Sequence, residues 1–302
     1  MRTEELKISA ADGLPLAGTL TTPSGTGPHP AVLLLHGSGR LDRDGNAGRL
    51  NQNLGPALAE SLARQGITTL RYDRRGVGAT PGDWLSTGFV DNRDDAAAAL
   101  SALAAHPGIR PDAIGVVGHS EGALHAMSLG TRPDVAAVVL LAGFARTGED
   151  ALRWQADAVA GGLPLPLRPL VRLGSKRLIK LRTTTADVVR VAGKRVNARW
   201  TREMLSHDSR SDLARIRVPV LAVTGDKDVQ VDPADLQRIR ALVPGPVETH
   251  LLPDLTHLLR KEPGRASVRS YPRQLRSPVD GDLLDVVTSW LARTLGTAPG
   301  DS

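Results

Sequence analysis

Ala113-Ile114-Gly115-Val116-Val117, then Gly118-His119-Ser120-Glu121-Gly122, then Ala123-Leu124-His125-Ala126-Met127: this stretch decides how the chain is read. The first part is an unbroken apolar run, the pattern of a strand buried on both faces. The third is a small-residue helix pattern. Between them, a tight turn forces the serine into a strained backbone conformation and lifts its hydroxyl above the sheet edge, a setting in which serine becomes a nucleophile. Gly118 and Gly122 suit positions where strand and helix pass too close for side chains.

Working outward, residues 6–10 and 16–21 flank the turn signal Asp12-Gly13 and predict an antiparallel hairpin. Apolar runs at 31–36, 67–72, 113–117, 136–142, 218–224 and 247–252 predict buried strands. Helical patterns at 54–65, 91–105, 120–129, 233–242 and 281–295 fall between most of them or after the last. A hairpin followed by strand–helix alternation implies a mostly parallel, eight-stranded sheet of the α/β class, covered by helices on both faces. A hydrophobic content of 41% supports a packed core, and 3% aromatics makes that core chiefly Leu, Val and Ala.

Residues 144–213 break the pattern, being far longer than a crossover needs. The segment contains Gly161-Gly162, three prolines and two helix-like pieces, with Leu170, Leu173, Leu178 and Leu181 as an apolar stripe opposite basic residues. We read it as an inserted helical cap, with 1–143 and 214–302 forming the core. Charge is concentrated there. Residues 168–202 hold eleven basic side chains against the single acid Asp187, a local +10 that leaves −4 for the rest of a chain of net +6. The global balance is therefore a poor guide to partners. The basic residues read either as a solvated face or as an attraction for anionic substrates or an anionic membrane surface. Nucleic acid is not expected, since only Trp154 and Trp200 offer stacking surface nearby. The absence of cysteine excludes disulfides, thiolate metal sites and a cysteine nucleophile. No signal-peptide pattern opens the chain, and the longest apolar run, 135–145, is too short to cross a bilayer, so a cytoplasmic protein without stable membrane insertion is expected. Residues 297–302 read as an unstructured tail, and 264–277, with Arg265, Arg269, Arg273 and Arg276, as a loop.

A serine hydroxyl needs a base, a group that orients the base, and N–H donors for the oxyanion. His36-Gly37-Ser38-Gly39 follows the strand at 31–36 and can turn N–H groups towards the serine. The oxyanion donors are assigned to the backbone N–H groups of Ser38 and Glu121. Gly225-Asp226-Lys227-Asp228 follows the strand at 218–224; Asp228 is read as the orienting acid, with Asp226 as second candidate. His257 follows the last strand, twenty-nine residues after Asp228, room for one helix and one strand that return the chain to the same edge. His36 and His119 are expected to make structural hydrogen bonds, and His125 to pack.

Ser120, Asp228 and His257, each after its strand and in that order, resemble the α/β-hydrolase fold family. Asp42-Arg43-Asp44-Gly45-Asn46 and Arg71-Tyr72-Asp73-Arg74-Arg75-Gly76-Val77-Gly78 make the chain similar to bacterial carboxylesterases, among chains also grouped with dienelactone hydrolases and serine aminopeptidases. It departs from dienelactone hydrolases, which use a cysteine, and from haloalkane dehalogenases, which use an aspartate at the place of Ser120. The resemblance and the residue chemistry imply a serine hydrolase acting on a small-molecule ester through an acyl-enzyme, without metal or organic cofactor. A thioesterase, acyltransferase or aminopeptidase would use the same residues, and a non-catalytic binding protein could share the fold. The sequence leaves the natural ester and the oligomeric state open.

Overall fold

The computed structural model describes residues 1–48 and 50–296; the expected tail at 297–302 lies outside the described residues. Eight strands form the central sheet: β1 (Arg2–Ser9), β2 (Pro15–Thr22), β3 (His29–Leu35), β4 (Thr68–Tyr72), β5 (Ile109–His119), β6 (Ala137–Leu141), β7 (Val220–Gly225) and β8 (Val247–Leu252). Their spatial order is β1-β2-β4-β3-β5-β6-β7-β8. β1–β2 and β2–β4 pair antiparallel, and the remaining neighbours pair parallel.

Alternation within the central strands explains why they carry no polar face. In β3, Ala31, Leu33 and Leu35 pack into one core cluster while Val32 and Leu34 pack into the other. In β6, Val138 and Leu140 face the first cluster, and Ala137, Val139 and Leu141 the second. Helices α2 (Phe89–Ala104) and α3 (Glu121–Leu129) close the first side. Helix α1 (Leu54–Arg64) and the helix Gly281–Leu295 close the second through Leu58, Leu62, Val287 and Leu291. Both faces of the sheet are thus dry along the central strands β3, β6 and β7 and along β5 from Ala113, which accounts for their continuous apolar runs; β8, expected from the sequence to be a buried strand, is instead the edge of the sheet, paired on one side only, and leaves Glu248 and Leu251 exposed.

Between β6 and β7 the chain is richer than two helical pieces. It forms α4 (Gly148–Gly161), α5 (Arg168–Lys180), a hairpin of strands Val188–Val191 and Lys194–Asn197, then α6 (Ala198–Ser206) and α7 (Ser209–Leu213). The hairpin turns at Ala192 and Gly193, both at positive φ (48° and 79°), the geometry of a tight two-residue turn. Ala192 in place of the usual Asn or Asp is why the turn is hard to read in sequence. The leucine stripe of α5 is not buried as a unit. Leu170 and Leu173 are 63% and 46% exposed, whereas the half-buried Leu178 lines a chamber open to the surface. The stretch 264–277 is not a plain loop, since it contains a short helix, Tyr271–Gln274. Among the described residues no helix is long and apolar enough to cross a membrane.

Candidate active site

The parallel strands β3, β5, β7 and β8 end on one edge, so the four sequence-read segments meet there. Ser120 sits between β5 and α3 with φ 55° and ψ −116°, a region that L-residues rarely adopt and that costs about 1–3 kcal/mol. Its N–H is tied to the Leu141 carbonyl at 2.9 Å. The flanking glycines are sterically required. A Cβ on Gly118 would lie 2.1 Å from the Gly122 carbonyl oxygen, and one on Gly122 would lie 2.2 Å from that of Leu35.

Ser120 Oγ lies 3.1 Å from His257 Nε2, and His257 Nδ1 lies 2.8 Å from Asp228 Oδ2. With Nδ1–H donating to the carboxylate, Nε2 is left as the acceptor for the serine proton. Asp228 Oδ1 accepts the N–H groups of Gln230 (2.7 Å) and Val231 (2.9 Å). Asp228 and His257 are buried. Asp226, the second candidate, is exposed and does not join this line. Lys227, between the two aspartates, donates to the carbonyls of Glu262 and Gly264 at 2.8 Å each and pairs with Asp254. It thereby braces the His257 loop against the Asp228 loop. Behind His257, Thr256 Oγ1 donates to Gln274 Oε1 at 2.7 Å, which gives the Tyr271–Gln274 helix a supporting place.

Gly37 packs so closely that a Cβ there would lie 3.2 Å from Ser120 Cβ. This brings Ser38 to the wall of a cavity of about 90 Å³ shared with Ser120, Glu121 and His257. Glu121 is the first residue of α3, so its N–H is among those without an intrahelical partner.

His36 donates from Nε2 to the Arg43 carbonyl, and His119 from Nε2 to the His257 carbonyl (2.9 Å). Burial pushes both rings down, His36 to about 4 and His119 to about 3, the latter also through the nearby His257. Both stay neutral, as suits rings that hold loops. His125 does more than pack: it donates to Glu121 Oε1 at 3.1 Å.

Sequence reading missed Arg74 and underused Trp200. The Arg74 guanidinium donates to Glu121 Oε2 (3.1 Å) and to the His36 carbonyl (2.6 Å). Glu121 Oε1 takes further hydrogen bonds from Trp200 Nε1 (3.0 Å) and Asn92 Nδ2 (3.2 Å). Burial works to raise the Glu121 carboxyl, but the Arg74 charge and the bonds from His125 and Trp200 outweigh it and hold it down at about 2. The available signal was Arg74 within Tyr72-Asp73-Arg74-Arg75-Gly76. Trp200 reads in the sequence only as stacking surface.

A second, larger and mostly apolar chamber of about 350 Å³ adjoins the first, and Ser38, Leu152, Trp200 and Met204 line both.

The family model described as serine aminopeptidase, S33, matches residues 28–264. Esterase EstD of Thermotoga maritima is 26% identical over 292 residues, covering 96% of this chain and 68% of EstD. Among solved structures, DcsB in complex with its substrate analogue superposes with a TM-score of 0.67 at 16% identity, covering 98% of this chain and 100% of that one. The Pyrococcus furiosus esterase PF2001 gives 0.64 at 18% identity, covering 98% and 91%. At such identities the likeness to the solved structures is one of fold.

Proposed function

The chain belongs to the serine aminopeptidase S33 family of α/β hydrolases and is an enzyme of esterase type, and from that premise we propose that it cleaves carboxylic esters through an acyl-enzyme on Ser120. The observation that carries the reading is the line Ser120 Oγ, His257 Nε2, His257 Nδ1, Asp228 Oδ2, with separations of 3.1 and 2.8 Å.

His257 takes the serine proton as Oγ attacks the acyl carbonyl, and Asp228 stabilises the imidazolium that forms. The N–H groups of Ser38 and Glu121 receive the oxyanion; one such donor contributes about 3–4 kcal/mol. His257 then gives its proton to the departing alcohol, and water enters to hydrolyse the acyl-enzyme. Residues 144–213 act as a cap over this chemistry, contributing Leu152 and Gln155 of α4 and Trp200 and Met204 of α6 to the cavity wall.

Ester cleavage is favoured over aminopeptidase action by how the local carboxylates are used. An aminopeptidase must hold a free α-ammonium, which calls for an uncommitted carboxylate beside the nucleophile. Glu121, the one acid among the described residues that line the small cavity, has both oxygens engaged, by Arg74 on one side and by Trp200, His125 and Asn92 on the other.

Hydrolysis of p-nitrophenyl acetate tests the reading. Ser120→Ala is expected to lower kcat by about 10⁴-fold or more while its circular dichroism spectrum stays that of the parent. Unchanged turnover by the folded variant would remove the assignment.

A further inference from the structure

The larger chamber has an uncommon wall. Trp84, Leu152, Leu178, Val196 and Trp200 make it apolar. Among the described residues its formally charged members are two arginines, Arg74 and Arg195, and no carboxylate belongs to it. Most of its polar side chains are already spent. Thr87 Oγ1 donates to the Asp83 carbonyl, Thr201 Oγ1 to that of Asn197, and Asn197 Nδ2 to those of Trp84 and Thr87. The Arg74 guanidinium is held by Glu121 and the His36 carbonyl.

Arg195 is different. It stands on the second strand of the 188–197 hairpin, paired in register with Arg190. Many basic residues of its segment have partners: Arg172 pairs with Asp157, Arg182 with Glu149, Arg199 with Asp91 and Glu203, and Arg202 with Asp187. The side chain of Arg195 makes no hydrogen bond or ion pair with another described residue. It is exposed, yet it forms part of the wall of the chamber that shares Ser38 and Trp200 with the Ser120 cavity. An unpaired guanidinium at the edge of an apolar compartment is a recognition element for a carboxylate carried on an apolar body.

We propose that the chamber is a substrate subsite for an ester whose apolar chain ends in a carboxylate, with Arg195 as the residue that receives it. The inference rests on Ser120 being the nucleophile and adds the substrate class. Exposure of Arg195 sets the scale. A partly solvated pair contributes a severalfold preference rather than an absolute one, and added salt weakens it.

The test compares kcat/KM for matched esters. One pair carries the charge on the acyl side, monoethyl adipate against ethyl hexanoate. The other carries it on the alcohol side, 6-acetoxyhexanoate against its methyl ester at the carboxyl end, with acetate release as the readout. The expected result is a charged-to-neutral ratio, in at least one pair, that falls about fivefold in Arg195→Met. It recovers in Arg195→Lys, shrinks between 20 mM and 500 mM salt, and stays at the parent value in Lys194→Met. The last variant removes the neighbouring charge, which lies outside the chamber wall, and so separates a local contact from the overall basic field. A ratio that changes less than twofold in Arg195→Met for both pairs, or falls equally in Lys194→Met, overturns the subsite while ester hydrolysis stands. No hydrolysis of any of the four esters by a parent enzyme that cleaves p-nitrophenyl acetate overturns the subsite alone, and no hydrolysis of p-nitrophenyl acetate either overturns both readings.

Discussion

At the scale of single residues, the side chain that most repays attention is Arg74. Its two amino groups reach in different directions, one to the carboxylate of Glu121 directly after Ser120, the other to the carbonyl of His36 directly before Gly37-Ser38. One guanidinium therefore fixes the spacing between the two segments whose N–H groups we assign to the oxyanion. The pair is almost wholly out of water, with side chains 9% and 3% exposed. Removing one partner of such a pair strands a buried charge and costs about 3–5 kcal/mol. Arg74→Met is expected to lose that much in urea unfolding, and Arg74→Lys less, because the ammonium keeps the charge but not the fork that serves both acceptors. A loss below 1 kcal/mol in Arg74→Met would show that Glu121 is held by its other three donors alone.

At the scale of elements, α5 and α6 illustrate two ways for a helix of the proposed cap to attach. Helix α5 buries none of its residues. Helix α6 is latched to the core through its start. Its N-cap Asn197 accepts the Trp200 N–H at 2.8 Å and donates to the carbonyls of Trp84 (2.8 Å) and Thr87 (2.7 Å), just before α2. Glu203 accepts the Val90 N–H at 2.9 Å, and Arg199 pairs with Asp91. Asn197→Ala removes the cap and leaves two carbonyls without their donor, about 2 kcal/mol in all. Amide exchange over residues 198–206 is expected to quicken at least tenfold, with protection of β3, β5 and β6 unaltered. Equal quickening across the sheet would mean that α6 and the core open as one unit. The 188–197 hairpin shows why this attachment escaped sequence reading. Its four strand-pairing valines are interleaved with Arg190, Lys194 and Arg195, so the charge dominates the pattern, and its turn lacks the Asn-Gly or Asp-Gly signal.

At the scale of the whole molecule, dry faces on both sides of the sheet and loops packed across its edge put ionisable rings out of water. His36 and His119 are held down to about 4 and 3, and His125 and His207 are also lowered, in each case first by burial. The unfolded chain takes up these protons near pH 6.5 and the folded chain does not. Stability therefore falls as pH drops below about 6.5, by up to about 1.4 kcal/mol per pH unit for each such ring, until the folded values are reached. Glu121 acts in a lower window. Its carboxyl, lowered to about 2, contributes stability above its unfolded value near 4.5 and loses it as pH falls towards 2. Urea midpoints at pH 7.5, 6 and 5 are expected to decline steadily, and a flat profile across that range would contradict the assignment of neutral buried rings.

By itself the amino-acid order determined the run of strands and helices, the two-sided burial of the sheet and the segments that gather at its edge. Those features are written in local periodicity: a strand covered on both faces must be apolar at every position, and a strand–helix turn this tight must be glycine around its serine. The meeting of Ser120, Asp228 and His257 was legible because each follows its own strand, and parallel strands deliver their ends to one side. Only the tertiary structure decided that Asp228 reaches the ring of His257 while Asp226 faces solvent. It alone joined Arg74 to Glu121, Asn197 to Trp84, and the Ser120 cavity to a chamber ending at Arg195. These partners are dozens of residues apart, and no periodicity connects them. Their pairing follows from which surfaces remain to be covered once the sheet has closed, and that is a property of the packed chain alone.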